Sequence, residues 1–195
     1  MRQAKTDRRS LRTRQLLMQA MLELMHRKRY DAITVQEIAD QANVGRSTFY
    51  AHFTDKDDLL VDGVREMLDS LDTDTAEATE RRTRSYPSLA LLRHVGAQAD
   101  LYEVLARGRG LAVFLTALHD ELTAAFTKRL SVRVPPDSTP AVPVPLLAAM
   151  TASMLITAIR VWIQGGLGER AETIDRAFHT AADAAIRAGL RSASG

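Results

Sequence analysis

The sequence predicts an all-α chain, a small N-terminal module of three helices followed by a larger helical body, and three observations carry that prediction. Apolar residues recur three and four apart along almost every segment, and runs of strict alternation that would mark strands are missing. The breaks fall on turn residues: Asn43-Val44-Gly45, Gly108-Arg109-Gly110, Gly165-Gly166-Leu167-Gly168, and the stretch VPPDSTPAVPVP at 134–145, which holds five of the six prolines. A composition of 46% hydrophobic and 26% charged residues over 195 positions is that of an ordinary folded protein, with room for one core or for a small module joined to a larger one.

Taken in order, residues 10–29 form the first helix, with Leu17, Ala20, Met21, Leu24 and Met25 on one stripe and Tyr30 just beyond. A short second helix opens at Thr34. There Thr34-Val35-Gln36-Glu37 fits a capping box, in which the threonine hydroxyl accepts from the Glu37 amide while Glu37 reaches back to the cap. Val35, Ile38, Ala39 and Ala42 form its inner face, and Asn43-Val44-Gly45 ends it, since asparagine and glycine tolerate the left-handed geometry of a tight turn. Helical spacing resumes at Arg46 and lasts until Thr54-Asp55. Asp55 caps a longer helix from Lys56 to about Leu71, with Asp57 and Asp58 placed to complement its positive end. The polar run 72–84 reads as a fraying helix end or a linker, and Pro87 can open the next helix, which carries Leu89, Leu92 and Val95. A short segment at 100–105 follows. Residues 111–131 are strongly amphipathic, and two more helices, 146–164 and 171–190, complete the chain. The expected domains are 1–54 for the three-helix module, 55–71 for a connecting helix and 72–195 for the body.

Charge separates the two ends. Residues 1–56 carry eleven Lys+Arg against six Asp+Glu, net +5, whereas the whole chain is +2, so the remainder is −3. A basic front on a mildly acidic body suggests that the first quarter of the chain meets a polyanion. Two short helices joined by a tight turn, with a first helix packed behind them, have the geometry of a helix-turn-helix. That geometry explains the mixed segment VGRSTFYAHF at 44–53: Val44, Phe49 and Phe53 must face the core while the other face offers donors to a duplex. Arg46 has the planar fork that pairs with guanine, Ser47 and Thr48 can touch a base edge or a thymine methyl, and Tyr50 and His52 can grip the backbone. Lys56 opposes the dipole of the helix it begins, which a phosphate at that position would account for. Thr34 opens the preceding helix, whose free amides could face another phosphate.

The stretch TVQEIADQANVGRSTFYAHFTDKDDLL (34–60) resembles the DNA-binding domain of TetR-type transcriptional regulators, with Thr34, Ile38, Ala39, Ala42, Val44, Thr48, Tyr50, Phe53, Lys56 and Leu59 where such proteins place them. Gly45 departs from the pattern, because the family usually has serine there as the cap of the recognition helix. The resemblance implies an N-terminal helix-turn-helix domain with a C-terminal helical ligand-binding and dimerisation domain. It also implies a repressor that binds a palindromic double-stranded DNA operator as a homodimer and is released by a small-molecule effector.

Small residues on the last two helices, Ala148, Ala149, Ala152, Ser153 and Ala158, then Ala177, Ala181, Ala184, Ala185 and Ala188, allow two chains to pair as a four-helix bundle, with Trp162 at its end. Tyr102, Phe114, His119, Met150 and Met154 are available to line an effector pocket, although residues of these types also fill ordinary cores. Catalysis and metal binding are not expected: His119-Asp120-Glu121 are adjacent on a helix and point apart, and the glycines at 165–168 lack the strand and lysine of a phosphate loop. No cofactor is expected. The alternative to a regulator is a helical small-molecule-binding protein without DNA binding. With no cysteine, no secretory leader pattern and an apolar window at 146–163 interrupted by Thr151, Ser153, Thr157 and Arg160, a cytoplasmic protein that makes no membrane contact is expected.

Overall fold

The computed structural model describes residues 2–73 and 86–191, with side chains at 9–71 and 86–191. Every regular element among them is a helix: α1 (Arg2–Met25), a 3-10 turn (Tyr30–Ala32), α2 (Val35–Gln41), α3 (Arg46–Tyr50), α4 (Lys56–Thr73), α5 (Ser88–Ala97), α6 (Ala99–Ala106), α7 (Gly110–Ser131), α8 (Val144–Gln164) and α9 (Ala171–Leu190). The polar run expected as a linker lies outside the described residues from 74 to 85. Two compact units emerge, one of Met1–Glu66 with Asp100–Phe114, the other of Met67–Ala99 with Leu115–Gly195.

In the first unit α1 begins at Arg2, ahead of the expected Ser10, because nothing in its opening residues breaks a helix. Its stripe Leu17, Ala20, Met21 and Met25 is buried, and α2 packs on it through Ile38 and Ala39. The capping box forms as the spacing predicts: the Glu37 amide donates to Thr34 Oγ1 at 3.2 Å and the Thr34 amide donates to Glu37 Oε2 at 2.9 Å. Asp55 Oδ1 caps α4 by accepting from the amides of Asp57 at 2.8 Å and Asp58 at 2.9 Å.

The break Gly108-Arg109-Gly110, expected as mere punctuation, forms with Arg107 a strap docked on this unit. The Arg109 guanidinium donates to both Asp57 oxygens at 2.7–2.8 Å, and Arg29 Nη2 donates to the Arg107 carbonyl at 2.5 Å. A Cβ on Gly110 would lie 2.6 Å from Leu105 Cδ2 and 2.9 Å from Tyr30 Cγ, so a side chain there would push against the buried ring, whereas one on Gly108 would meet only the carboxylate end of Asp31, at 2.4 Å.

In the second unit α9 packs on α8 and α5. Helix α8 starts at Val144, two residues before the expected Leu146, because Pro145 is tolerated in a first turn. By length and composition α8 could cross a bilayer, but Leu147, Ala148, Thr151, Ala152, Leu155, Ile156 and Ile159 are buried within the unit. Ala148 and Ala152, expected to meet a partner chain, therefore face inward instead. Trp162 is buried too, and its Nε1 donates to the Glu169 carbonyl at 2.9 Å. A buried polar group ties α5 to α9: Ser88 Oγ donates to Asp175 Oδ1 at 2.5 Å and lies 3.0 Å from His179 Nε2.

Candidate nucleic-acid interface

The path from α2 to α3 is set by backbone geometry. Asn43 adopts φ 53°, its amide donates to the Asp40 carbonyl at 3.0 Å, and the Val44 amide donates to the Ala39 carbonyl at 2.9 Å. This is a Schellman motif with asparagine in the left-handed position, and it satisfies the carbonyls at the end of α2 while turning the chain. Gly45 does not use its conformational freedom. With φ −71° and ψ 148° it is extended, and it caps α3 with no side-chain hydrogen bond.

Helical bonding runs past Tyr50, the Phe53 amide donating to the Phe49 carbonyl at 2.9 Å, so residues 46–53 present distinct sides. Phe49 and Phe53 are 0% and 4% exposed and anchor the segment, with their ring centroids 5.8 Å apart. Val44, expected in the core beside them, is only half-buried. Arg46 and Tyr50, four apart, form one shoulder: the guanidinium carbon lies 5.4 Å from the tyrosine ring centroid, and Arg46 Nη2 donates to Tyr50 Oη at 3.2 Å. Thr48 and His52 form the opposite shoulder, and Ser47 and Ala51 lie exposed between the two.

Beside the second shoulder runs a groove of about 490 Å³ lined by Arg9, Ser10, Thr13, Asn43, Val44, Thr48 and His52. It offers a guanidinium, hydroxyls, an amide and an imidazole, and its lining contains no carboxylate. Sequence reading missed Arg9, Ser10, Thr13 and Asn43. The basic front hinted at Arg9, but the seating of α1 against α3 is a tertiary fact.

Two other predicted site residues have their polar groups engaged within the fold. Lys56 Nζ donates to the carbonyls of Tyr30 at 2.8 Å, Asp31 at 3.1 Å and Ile33 at 2.8 Å, and sits 4.7 Å from the Tyr30 ring centroid. The ammonium's three protons are thus directed at three carbonyls, and these contacts account for a lysine at this helix start. Burial, then the nearby Arg109, lowers its pKa. Thr34 Oγ1 donates to Glu37 Oε2 at 2.8 Å in addition to its cap bond. Glu37 is held at a pKa of about 2, first by the hydrogen bond from Lys28 and then by those from Thr34.

The five residues proposed for an effector pocket are divided between the two units. Tyr102 and Phe114 belong to the first unit, where their rings pack edge to face at 5.0 Å. His119, Met150 and Met154 instead line an open groove of about 1350 Å³ on the second unit, with Leu146, Ser153, Thr157, Val161, Ala177, Ala181 and Ala185. Met150 and Val161 are 52% and 63% exposed, so the periodicity of α8 records a second free apolar face as well as a core.

Residues 17–62 match the family model described as bacterial regulatory proteins, tetR family. The uncharacterized HTH-type transcriptional regulator YxbF of Bacillus subtilis (strain 168) is 42% identical over 55 residues, which are 28% of this chain and 14% of that protein's length. Among solved structures, a TetR-family regulator from Syntrophomonas wolfei str. Goettingen aligns with TM-score 0.65 at 19% identity, over 90% of this chain and 95% of its own. A TetR transcriptional regulator from Streptococcus agalactiae 2603V aligns with TM-score 0.59 at 24% identity, over 92% and 98%. FadR of Thermus thermophilus, a TetR-family repressor solved with lauroyl-CoA, gives 0.58 at 20%, over 93% and 97%. At these identities the structures share the fold. The helix-turn-helix at 34–53 thus lies within the residues that match the tetR family model, and the all-helical body shares its fold with these regulators.

Proposed function

We propose that this chain is a ligand-responsive transcriptional regulator, a repressor that binds a palindromic operator as a homodimer in the cytoplasm and leaves it when a small molecule binds. The carrying observation is the segment 46–53, whose buried aromatic side fixes a donor-rich opposite side carrying Arg46, Ser47, Thr48, Tyr50 and His52. Arg46 reads a guanine edge, Ser47 the neighbouring base, and Tyr50 hydrogen-bonds a phosphate. The acid-free groove between α1 and α3 seats the sugar-phosphate backbone of one strand through Arg9, Ser10, Thr13, Thr48 and His52. Thr34 and Lys56 act from behind, holding α2 and the start of α4 in place. Residues 1–54 thus read DNA, 55–71 connect, and 72–195 sense and dimerise, with 100–114 docked on the reading unit.

Dimerisation uses the α8–α9 groove, because a long apolar face on a soluble domain calls for a cover and an isologous pairing supplies one. Release by a small molecule follows from differential affinity for two states, and FadR of Thermus thermophilus, a repressor crystallised with lauroyl-CoA, sets a precedent. A reading without DNA rests on Gly45, which leaves α3 with no side-chain cap.

Selection of bound duplexes from random DNA tests these readings. A two-fold symmetric consensus with half-sites about one helical turn apart is expected, and failure to enrich any sequence would favour the DNA-free alternative. Arg46→Ala should weaken the selected site by about 1–3 kcal/mol and relax preference at one base pair per half-site. An unchanged footprint and consensus would remove Arg46 from that role.

A further inference from the structure

We infer that Tyr50 is a positioning residue for base reading, coupling phosphate grip to base choice on this shoulder of α3. The inference rests on the DNA-reading function proposed above. Arginine is a long side chain with many rotamers, and on an exposed helix position it would ordinarily sample several directions. Here it is held. Its guanidinium carbon lies 5.4 Å from the Tyr50 ring centroid, and its Nη2 donates to Tyr50 Oη at 3.2 Å. Tyr50 is itself fixed, because its ring meets the fully buried Phe49 edge to face, with centroids 5.6 Å apart and planes at 83°. A line of contacts therefore runs from core to surface: Phe49, Tyr50, Arg46.

The hydrogen-bond inventory gives this line a direction. Arg46 spends one of five N–H donors on Tyr50 and keeps the rest for a base edge. Tyr50 Oη accepts that bond, which leaves its own proton free to donate. At 48% exposure the phenol is open to a backbone phosphate. When a phosphate oxygen accepts a hydrogen bond from the phenol O–H, the oxygen that Arg46 leans on becomes a better acceptor. The backbone contact then tightens the aim of the guanidinium at guanine. A duplex in the wrong register misses the phosphate and also loosens the reader.

Phenylalanine and alanine at position 50 separate the parts, since Tyr50→Phe keeps the ring under the cation and removes only the hydroxyl. In the free protein, the 15N order parameter of Arg46 Nε should fall from wild type to Tyr50→Phe and again to Tyr50→Ala. Equal values in all three would overturn the inference whatever the DNA result. On the selected duplex, Tyr50→Phe should cut discrimination at the Arg46-dependent base pair by roughly three- to tenfold, the worth of one hydrogen bond. In an Arg46→Ala background that loss of discrimination should vanish, while a loss of affinity common to all sequences persists. If Tyr50→Phe instead lowers affinity on every duplex alike and leaves base preference intact, the coupling is wrong and DNA reading stands. If the wild type shows no preference among duplexes, both fall together.

Discussion

Helices α3 and α8 each bury one side and leave another free, and the free sides are chemically opposite. Through Phe49, and through Phe53 in the turn that follows, α3 is anchored by aromatic rings; outward it shows a guanidinium, hydroxyls and an imidazole. Inward, α8 is anchored by Leu147, Leu155 and Ile159, and outward it shows Leu146, Met150, Thr157 and Val161, beside the alanines of α9. Similar burial patterns thus leave surfaces suited to partners of different chemistry. A donor-rich surface without carboxylates matches a wet polyanion, where charge and hydrogen bonds provide affinity. An apolar surface broken only by small polar side chains matches another like itself, where removal from water provides it. The buried side fixes where a helix sits; the free side specifies what comes to it.

The largest expected effect breaks the apolar half of this contrast. Met150→Glu with Val161→Glu places carboxylates on positions that are 52% and 63% exposed in the single chain, so the fold should survive. In a pairing across this face the same carboxylates are buried without partners, at a cost of about 3–5 kcal/mol, and the dimer should fall apart at micromolar concentration. Sedimentation velocity with a far-UV spectrum checks both halves of this expectation. A variant that stays dimeric would move the pairing face elsewhere and end the comparison.

Next in size is Lys56→Met, which tests what holds the α3 platform. Three carbonyls lose a charged donor, and urea unfolding should show a loss of about 2–3 kcal/mol. Were the lysine a phosphate ligand instead, stability would hold and the salt slope of DNA binding would drop by about one. The two outcomes point in opposite directions on separate measurements.

What the sequence disclosed about this platform, and what it withheld, follows the range of the interactions. The capping box of Thr34 and Glu37, the Asp55 cap and the span of α9 were legible because partners lie within four residues and periodicity needs no tertiary knowledge. The polar side of α3 was legible for the same reason. By contrast, the Arg109 strap pairs residues 52 apart, and no local signal marks it. The three carbonyls around Lys56 lie 23 to 26 residues away, which is why a helix-dipole argument suggested a phosphate in their place. The inner and outer faces of α8 are both apolar, so composition could not say that Ala148 faces the core while Met150 faces out.

A smaller effect is pH-dependent and sits at the cap of α2. Glu37 is pulled down to about 2 from 4.5 by Lys28 and Thr34, so it binds its proton less readily folded than unfolded. Its contribution is therefore fully present above pH 4.5 and is lost as pH falls from there towards 2. Thermal melts of wild type and Glu37→Gln should differ at pH 6–7 and converge as the pH is lowered through that window. A gap that persisted at pH 2 would assign the effect to the shape of the cap and not to its charge.

The finest adjustment concerns Gly45, where the donor-rich helix begins. Nothing at this position needs glycine: φ is −71°, and an added Cβ would meet only Ser47 Oγ at 3.6 Å and Thr48 Oγ1 at 3.8 Å, both ordinary contacts. Gly45→Ser gives α3 the side-chain acceptor it lacks, within reach of the amides of the first turn, and should stabilise the fold by a few tenths of a kcal/mol. The same hydroxyl also sits at the edge of the reading surface. If it takes a phosphate, affinity should rise on all sequences by more than the fold gains. If it serves only the helix, melting temperature and affinity should rise together and by similarly small amounts. A loss of affinity would mean instead that the backbone of a strand passes close to Gly45, and that glycine is there to let it in.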